Sequence, residues 1–99
     1  MAAKLVLAPE AMADVEDAYN WYEAQRVGLG EDFLGRVEAC LQAIVRAPEM
    51  HAVIQLGDRR ALVRRFPYAV FHEFADDTVT VYCVSHTSKD PEKWRTRLP

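Results

Sequence analysis

Arg59-Arg60-Ala61-Leu62-Val63-Arg64-Arg65-Phe66-Pro67-Tyr68-Ala69-Val70, followed soon after by Val79-Thr80-Val81-Tyr82-Cys83-Val84-Ser85-His86, decides how this chain folds. Both stretches are rich in β-branched and aromatic residues, which suit a pleated, half-buried surface. Strands are expected over Tyr68 to Phe74 and Thr78 to Ser85, with Asp76-Asp77 as the tight turn between them. A further strand is expected over Ala52 to Leu56 or over Arg60 to Arg65. Pro67 has no N–H to offer a central ladder, so Phe66-Pro67 marks a turn or a bulge. The period of two puts Arg60, Leu62 and Arg64 on one face and Ala61, Val63 and Arg65 on the other. With Val63 towards the core, Arg60 and Arg64 face the open side of a sheet.

The first half supplies what covers the other side. Lys4 to Ala8 is an opening strand. Pro9 then suits the first turn of a helix, where its missing N–H costs nothing, and Glu10 favours the positive end of the dipole. Met12, Val15, Tyr19 and Tyr22 form an apolar stripe, with Ala11 and Ala18 filling it, which places Trp21 on the opposite face near Glu10, Asp14 and Asp17. Gly28-Leu29-Gly30 breaks the pattern. A second helix from Glu31 to Ala47 presents Phe33, Val37, Cys40, Leu41 and Ile44, and Pro48 ends it. The expected architecture is one α+β domain over residues 1–99. In it an N-terminal strand and an antiparallel helical hairpin pack on one face of a mostly antiparallel, twisted sheet, in the order β-α-α-β-β-β.

Composition limits the function classes. Hydrophobic residues make up 51% and charged residues 27% of the 99 positions, which fits a soluble globular chain. The first fifty residues carry a net charge of −5 and the rest +2. A general nucleic-acid binder is basic overall, so any phosphate contact here falls to a local patch of second-half arginines. The apolar run Leu5-Val6-Leu7-Ala8 is too short for a leader or a membrane span, so a cytoplasmic location without membrane contact is expected. Cys40 and Cys83 sit in apolar patterns without metal-ligand spacing and are expected to be buried, reduced thiols; no metal or cofactor is expected.

The ordered set "PEAMADVEDAYNWYEAQ", "GLGEDFLGRVEACLQAI", "RRALVRRFPYAVFHEF", "VTVYCVSH" and "DPEKW" resembles the RelE/ParE superfamily of toxins from type II toxin–antitoxin modules. The likeness spans nearly the whole chain and is nearer the ParE-like than the RelE-like branch. The ParE-like branch implies a growth inhibitor that binds DNA gyrase without chemistry of its own. The RelE-like branch implies an endonuclease that cuts mRNA on the ribosome. Either would be neutralised by, and assemble with, a cognate antitoxin protein. A third reading is an α+β interaction module without toxicity.

The nuclease pattern is incomplete here. Its arginine at the strand end is matched by Arg64 or Arg65, but the arginine that follows the tyrosine of the next strand is replaced by Ala69. Trp94 stands where a C-terminal tyrosine would be, and it has no hydroxyl to donate, although it can stack on a base. An endonuclease would use Arg64 to steady the phosphate and Glu73 or His86 as acid–base groups. The alternative for His86 is a strand-end ring bonded to Asp90 or to backbone. His72 and Glu73 fall on opposite faces of their strand, and His51 reads as loop surface. Target contacts are assigned to Arg60, Arg64, Arg65, Lys93, Trp94, Arg95 and Arg97, with Arg95 and Arg97 on a mobile tail that little could fix. Trp21, expected to be exposed on an acidic helix face, is the candidate for antitoxin docking.

Overall fold

A computed structural model describes residues 3–55, 57–89 and 91–97. Strand β1 (Lys4–Leu7) is followed by α1 (Pro9–Gln25) and α2 (Leu29–Arg46). Four strands come next: β2 (Ala52–Gln55), β3 (Asp58–Leu62), β4 (Tyr68–Ala75) and β5 (Thr78–His86). A 3₁₀ turn over Lys93–Arg97 closes the described chain. The sheet order is β1-β5-β4-β3-β2, with β1 parallel to β5 and every other pairing antiparallel. The expected α+β layout is therefore present, with one strand more than anticipated. Both alternatives for the first late strand hold a strand, with Gly57, at φ +83°, turning the chain between β2 and β3, but the second is corrected to Asp58–Leu62, which leaves Val63, Arg64 and Arg65 beyond it. Leu56, the expected end of β2, lies outside the described residues.

The helical hairpin is held by a carboxylate. The α2 N-terminus has no capping side chain of its own, since its cap is Gly28 at φ +91°. Glu23 of α1 substitutes: its two carboxylate oxygens accept the N–H groups of Gly28 and Gly30, each at 2.9 Å. These are orphan donors of the α2 first turn, and the negative charge also meets the helix dipole there. Gly30 is required by this approach, because a Cβ would stand 2.8 Å from the Tyr19 carbonyl oxygen and 2.9 Å from the Glu23 carboxylate.

The core lies between the hairpin and the sheet. Phe33, Val37, Leu41 and Ile44 of α2 meet Ala61, Val63, Val70, Val79, Val81 and Val84, with Tyr22, Phe66 and Tyr68 packed around Phe33. On α1 the expected stripe is corrected at Met12 and Asp14, while Val15 and Tyr22 pack against the core as expected. Ala11, Asp14 and Ala18 are the buried positions, while Met12 is 56% exposed. Two alanines at that spacing bring the helix close to β5. A smaller cluster on the other face joins Ala69, Phe71, Tyr82 and Cys83 with Ile54 and Trp94. Cys83 is buried and Cys40 partly so; both are free, and burial pushes both thiols up, Cys40 to about 11.

A β-bulge explains how β5 serves both clusters. His72 is opposite Val81 and Phe71 is opposite Cys83, so Tyr82 is the extra residue. Tyr82 and Cys83 consequently face the same way, and the alternation is reset so that Val84 rejoins the face of Val79 and Val81. His72 lies fully buried on the strand face shared with Val70 and Phe74, its ring edge-on to His51 at 5.7 Å. Neither ring nitrogen makes a hydrogen bond of good geometry, although backbone groups of Val70 and Pro48 lie near enough to favour its proton. Burial, with His51 and Arg59 adding to it, pushes its pKa down to about 4.

Two outcomes test this packing. Gly30→Ala should destabilise the chain by about 1–3 kcal/mol in urea unfolding, the opposite of the gain that helix propensity alone gives for glycine to alanine. His72 has a folded pKa below its unfolded value, so the unfolded chain binds more protons between pH 6.5 and 4. Its contribution is complete above pH 6.5 and fades as pH falls towards 4, for a loss on the order of 3 kcal/mol. In His72→Phe that part of the pH dependence should vanish, as read from urea midpoints at pH 7 and pH 5.

Candidate functional site

The buried acid of α1 organises the site. Strand β1 stops at Leu7, opposite Val81, so β5 has no strand beside it on that edge from Tyr82 onward. Asp14 and Arg97 take the strand's place. The Asp14 Oδ2 accepts the Val84 N–H at 2.9 Å, and the Arg97 Nη1 donates to the Tyr82 carbonyl at 3.2 Å. The two side chains also pair through two hydrogen bonds of 2.9 and 3.0 Å, and the Lys93 Nζ reaches Asp14 at 2.7 Å. Burial by itself would raise the Asp14 pKa, but the hydrogen bonds from Arg97, Lys93 and Val84 outweigh it and hold the carboxyl below its ordinary value. Arg97 is correspondingly raised, mainly by its bonds to Asp14.

The expectation that nothing fixes the tail is thereby corrected. Arg97 and Lys93 are bound to Asp14, and Trp94 stacks on Phe71 on the sheet's other face, ring centroids 5.6 Å apart and planes 16° apart. Arg95 remains exposed, paired with Glu92 at 2.6 Å and lying over the Trp94 ring. The placement of Asp14 on the polar face of α1 is corrected for the same reason.

A cleft of about 250 Å³ lies beside this clasp, lined by Asp17, Trp21, Tyr68, His86, Lys89 and Lys93 among others. Trp21 is 51% exposed at its rim, edge-on to Tyr22 and under the Lys89 ammonium at 4.8 Å. The bulge is what turns His86 to this side, where it packs on Tyr68 at 5.3 Å. Its Nδ1 accepts the N–H groups of Ser88 and Lys89 at 3.1 and 3.0 Å, so in the neutral ring the proton sits on Nε2. The alternative partner Asp90 lies outside the described residues.

The other candidates stand apart. Arg60 is exposed on the open face opposite Phe71, as the strand period indicated. Arg64 lies past the end of β3 and lines a groove against α2, so the two do not form one patch on one strand face. Arg65, at φ +70°, stands with Asp32 and Arg36 at a third recess. Glu73 faces Thr80 while His86 faces Tyr68, five residues along β4 and about 17 Å away. Arg64, Glu73 and His86 thus share no pocket. His51, taken for loop surface, is half-buried against His72. Among the described residues no group of three or more His, Cys, Asp or Glu side chains is placed to hold a metal, and no helix is long and apolar enough to cross a membrane.

Residues 5–91 match the family described as the ParE toxin of the type II toxin–antitoxin system, parDE. The chain belongs to the ParE toxin family. No curated protein matches it in sequence. Among solved structures it is similar to a chain of the chromosomal ParDE toxin–antitoxin system from P. aeruginosa, with TM-score 0.76 and 12% identity over 86% of this chain and 96% of that one. It is also similar to a free double-arginine-to-alanine variant of the E. coli toxin RelE, with TM-score 0.73 and 14% identity over 98% of this chain and 94% of that one. At such identities the likeness is one of fold. In this ParE-family toxin the clasp is built by Asp14, Lys93, Arg97 and the Val84 amide.

Asp14→Asn keeps the shape and an acceptor for Val84 but leaves Lys93 and Arg97 without their anion. It should cost about 2–4 kcal/mol and free Trp94 from Phe71, seen as a shift in tryptophan emission. Arg97→Gln should cost less, about 1–2 kcal/mol, because Lys93 still compensates the buried carboxylate. Since the folded pKa of Asp14 is depressed, the clasp's contribution is present above about pH 4 and lost as pH falls further.

Proposed function

We propose that this toxin acts by binding DNA gyrase stoichiometrically, without chemistry of its own, and is neutralised by a cognate antitoxin. Gyrase inhibition is the known mode of the ParE family, to which the chain belongs. The observation that carries the reading is the separation of Arg64, Glu73 and His86. General acid–base cleavage needs its groups within hydrogen-bond reach of one reacting atom, and these three stand in different places. What the surface offers is cationic contact. Arg60, Arg64, Arg65 and Arg95 are exposed, and Lys93, Trp94 and Arg97 hold the tail that presents Arg95. Trp21 is the exposed aromatic left for the antitoxin.

Supercoiling of relaxed plasmid by purified gyrase tests this. The wild-type chain should inhibit, pre-mixing with antitoxin should abolish inhibition, and Arg60→Ala with Arg95→Ala should raise the half-inhibitory concentration about tenfold. His86→Ala and Glu73→Ala should leave potency within about twofold while the fold is intact. Undisturbed supercoiling together with cleavage of ribosome-bound mRNA, lost in His86→Ala, would instead establish the endonuclease. Normal growth of cells expressing the chain alone would establish an interaction module without toxicity.

A further inference from the structure

Two histidines beneath the α2–β2 loop hold most of the unmet polar capacity of this interior. Among the described residues, His51 Nδ1, His72 Nδ1, His72 Nε2 and the Tyr82 hydroxyl are the buried side-chain atoms without a hydrogen bond. Tyr82 lies on the other sheet face, near the Asp58 carboxylate. The three nitrogens lie together, where buried polar atoms are ordinarily paired. His72 is fully buried on central strand β4, its ring centroid 5.7 Å from that of His51 and the planes 83° apart. A metal–imidazole bond of about 2 Å puts two rings that share one ion at centroids about 5–6 Å apart. The loop is fixed at this distance, because Arg59 of β3 donates to the Glu49 and His51 carbonyls at 2.9 and 2.8 Å. The buried Nδ1 of His51 lies on the inner side of its ring, while the residue also lines a solvent-open groove of about 290 Å³ beside α2. Backbone groups of Val70 and Pro48 favour a proton on His72, which leaves the other nitrogen of the neutral ring as a lone pair. Metal-ligating histidines have their second nitrogen held in this way.

The donor set selects the ion. Burial pushes His72 down to about 4, so at pH 7 it is a neutral ligand with no proton to give up on binding. Among the described residues no third His, Cys, Asp or Glu side chain completes a larger group. The Cys40 thiol on the groove wall, pushed up to about 11, keeps its proton. A divalent ion takes three or more protein ligands as a rule, and its charge would stand uncompensated beside Arg59, whose guanidinium already adds to the depression of His72. A monovalent ion content with two nitrogen ligands meets both limits, and imidazole suits copper. We propose that His51 and His72 form a two-coordinate site for Cu(I), entered through the groove beside α2. The bound ion ties the loop that carries His51 to the central strand. The site stands apart from the Asp14 clasp and from the exposed arginines, so its test is independent of how the toxin acts.

Anaerobic titration of the full chain with Cu(I), in competition with the chelator bicinchoninate, tests the site. The wild type should bind one ion per chain. His51→Ala and His72→Phe, checked for folding by circular dichroism, should each weaken binding by about a hundredfold or more, and Cys40→Ala by less than about threefold. Cu(I) should raise the thermal midpoint of the wild type and leave that of His72→Phe unchanged. A second measurement needs no variant. On adding Ag(I), a redox-inert substitute, one ring nitrogen of His51 and one of His72 should shift in long-range ¹H–¹⁵N spectra, while His86 stays in place. Absence of Cu(I) binding by the wild type overturns the proposal, as does binding that survives in both histidine variants or is lost in Cys40→Ala. Unmoved His72 nitrogens overturn it too, and so does Zn(II) bound as tightly as Cu(I).

Discussion

One carboxylate holds the first helix and the C-terminal tail of this chain to the uncovered edge of β5. Asp14 is 6% exposed and ionised, a state that is costly unless its oxygens are met by donors. It is met by Val84, Arg97 and Lys93 together, from β5 and the tail. The need arises from topology. With β1 only four residues long, the second half of β5 would be a bare edge with an unpaired amide and carbonyl. Such edges invite other strands, and proteins blunt them with charge, bulges or cover. All three devices meet here: the Asp14–Arg97 pair, the Tyr82 bulge and the 3₁₀ turn over Lys93–Arg97.

The bulge and the clasp depend on one another. Resetting the alternation at Tyr82 turns Val84 into the helix-side core, next to the place where Ala11 and Ala18 let α1 come close enough for Asp14 to reach its amide. The same reset directs His86 to the α1 side, against Tyr68. A regular β5 would instead have put Cys83 on the face of Val79 and Val81, and His86 with Tyr82. The position of the most chemically versatile side chain near the cleft is thus a consequence of one extra residue in a ladder.

The sequence carried the helices, β4, β5 and the Asp76-Asp77 turn, because each rests on a local rule: hydrophobic period, proline at a first turn, residues tolerant of positive φ. The open-side placement of Arg60 was legible for the same reason. The features it concealed are those set by partners distant along the chain. Asp14 looks like a surface acid when Met12, Val15, Tyr19 and Tyr22 are taken as the stripe that Ala11 and Ala18 fill; yet it lies between those two alanines at helical spacing, and an acid set between small residues marks close approach. Arg97 lies 83 residues from its anion, and no periodicity links them. Bulges leave no composition signature, so the direction of His86 was beyond a period-two reading.

Where positive charge is consumed shapes what the surface can do. Lys93 and Arg97 are spent on a buried acid, and Arg59 on the backbone carbonyls of Glu49 and His51 at 2.9 and 2.8 Å. The arginines of α2 and of the β3–β4 turn have no such internal duty. On a chain of net charge −3 they form a local region of opposite sign, and at physiological salt the field of such a region reaches only about 8 Å. It therefore orients a partner at close range rather than gathering polyanions from solution. The buried clasp keeps Lys93 and Arg97 out of that region.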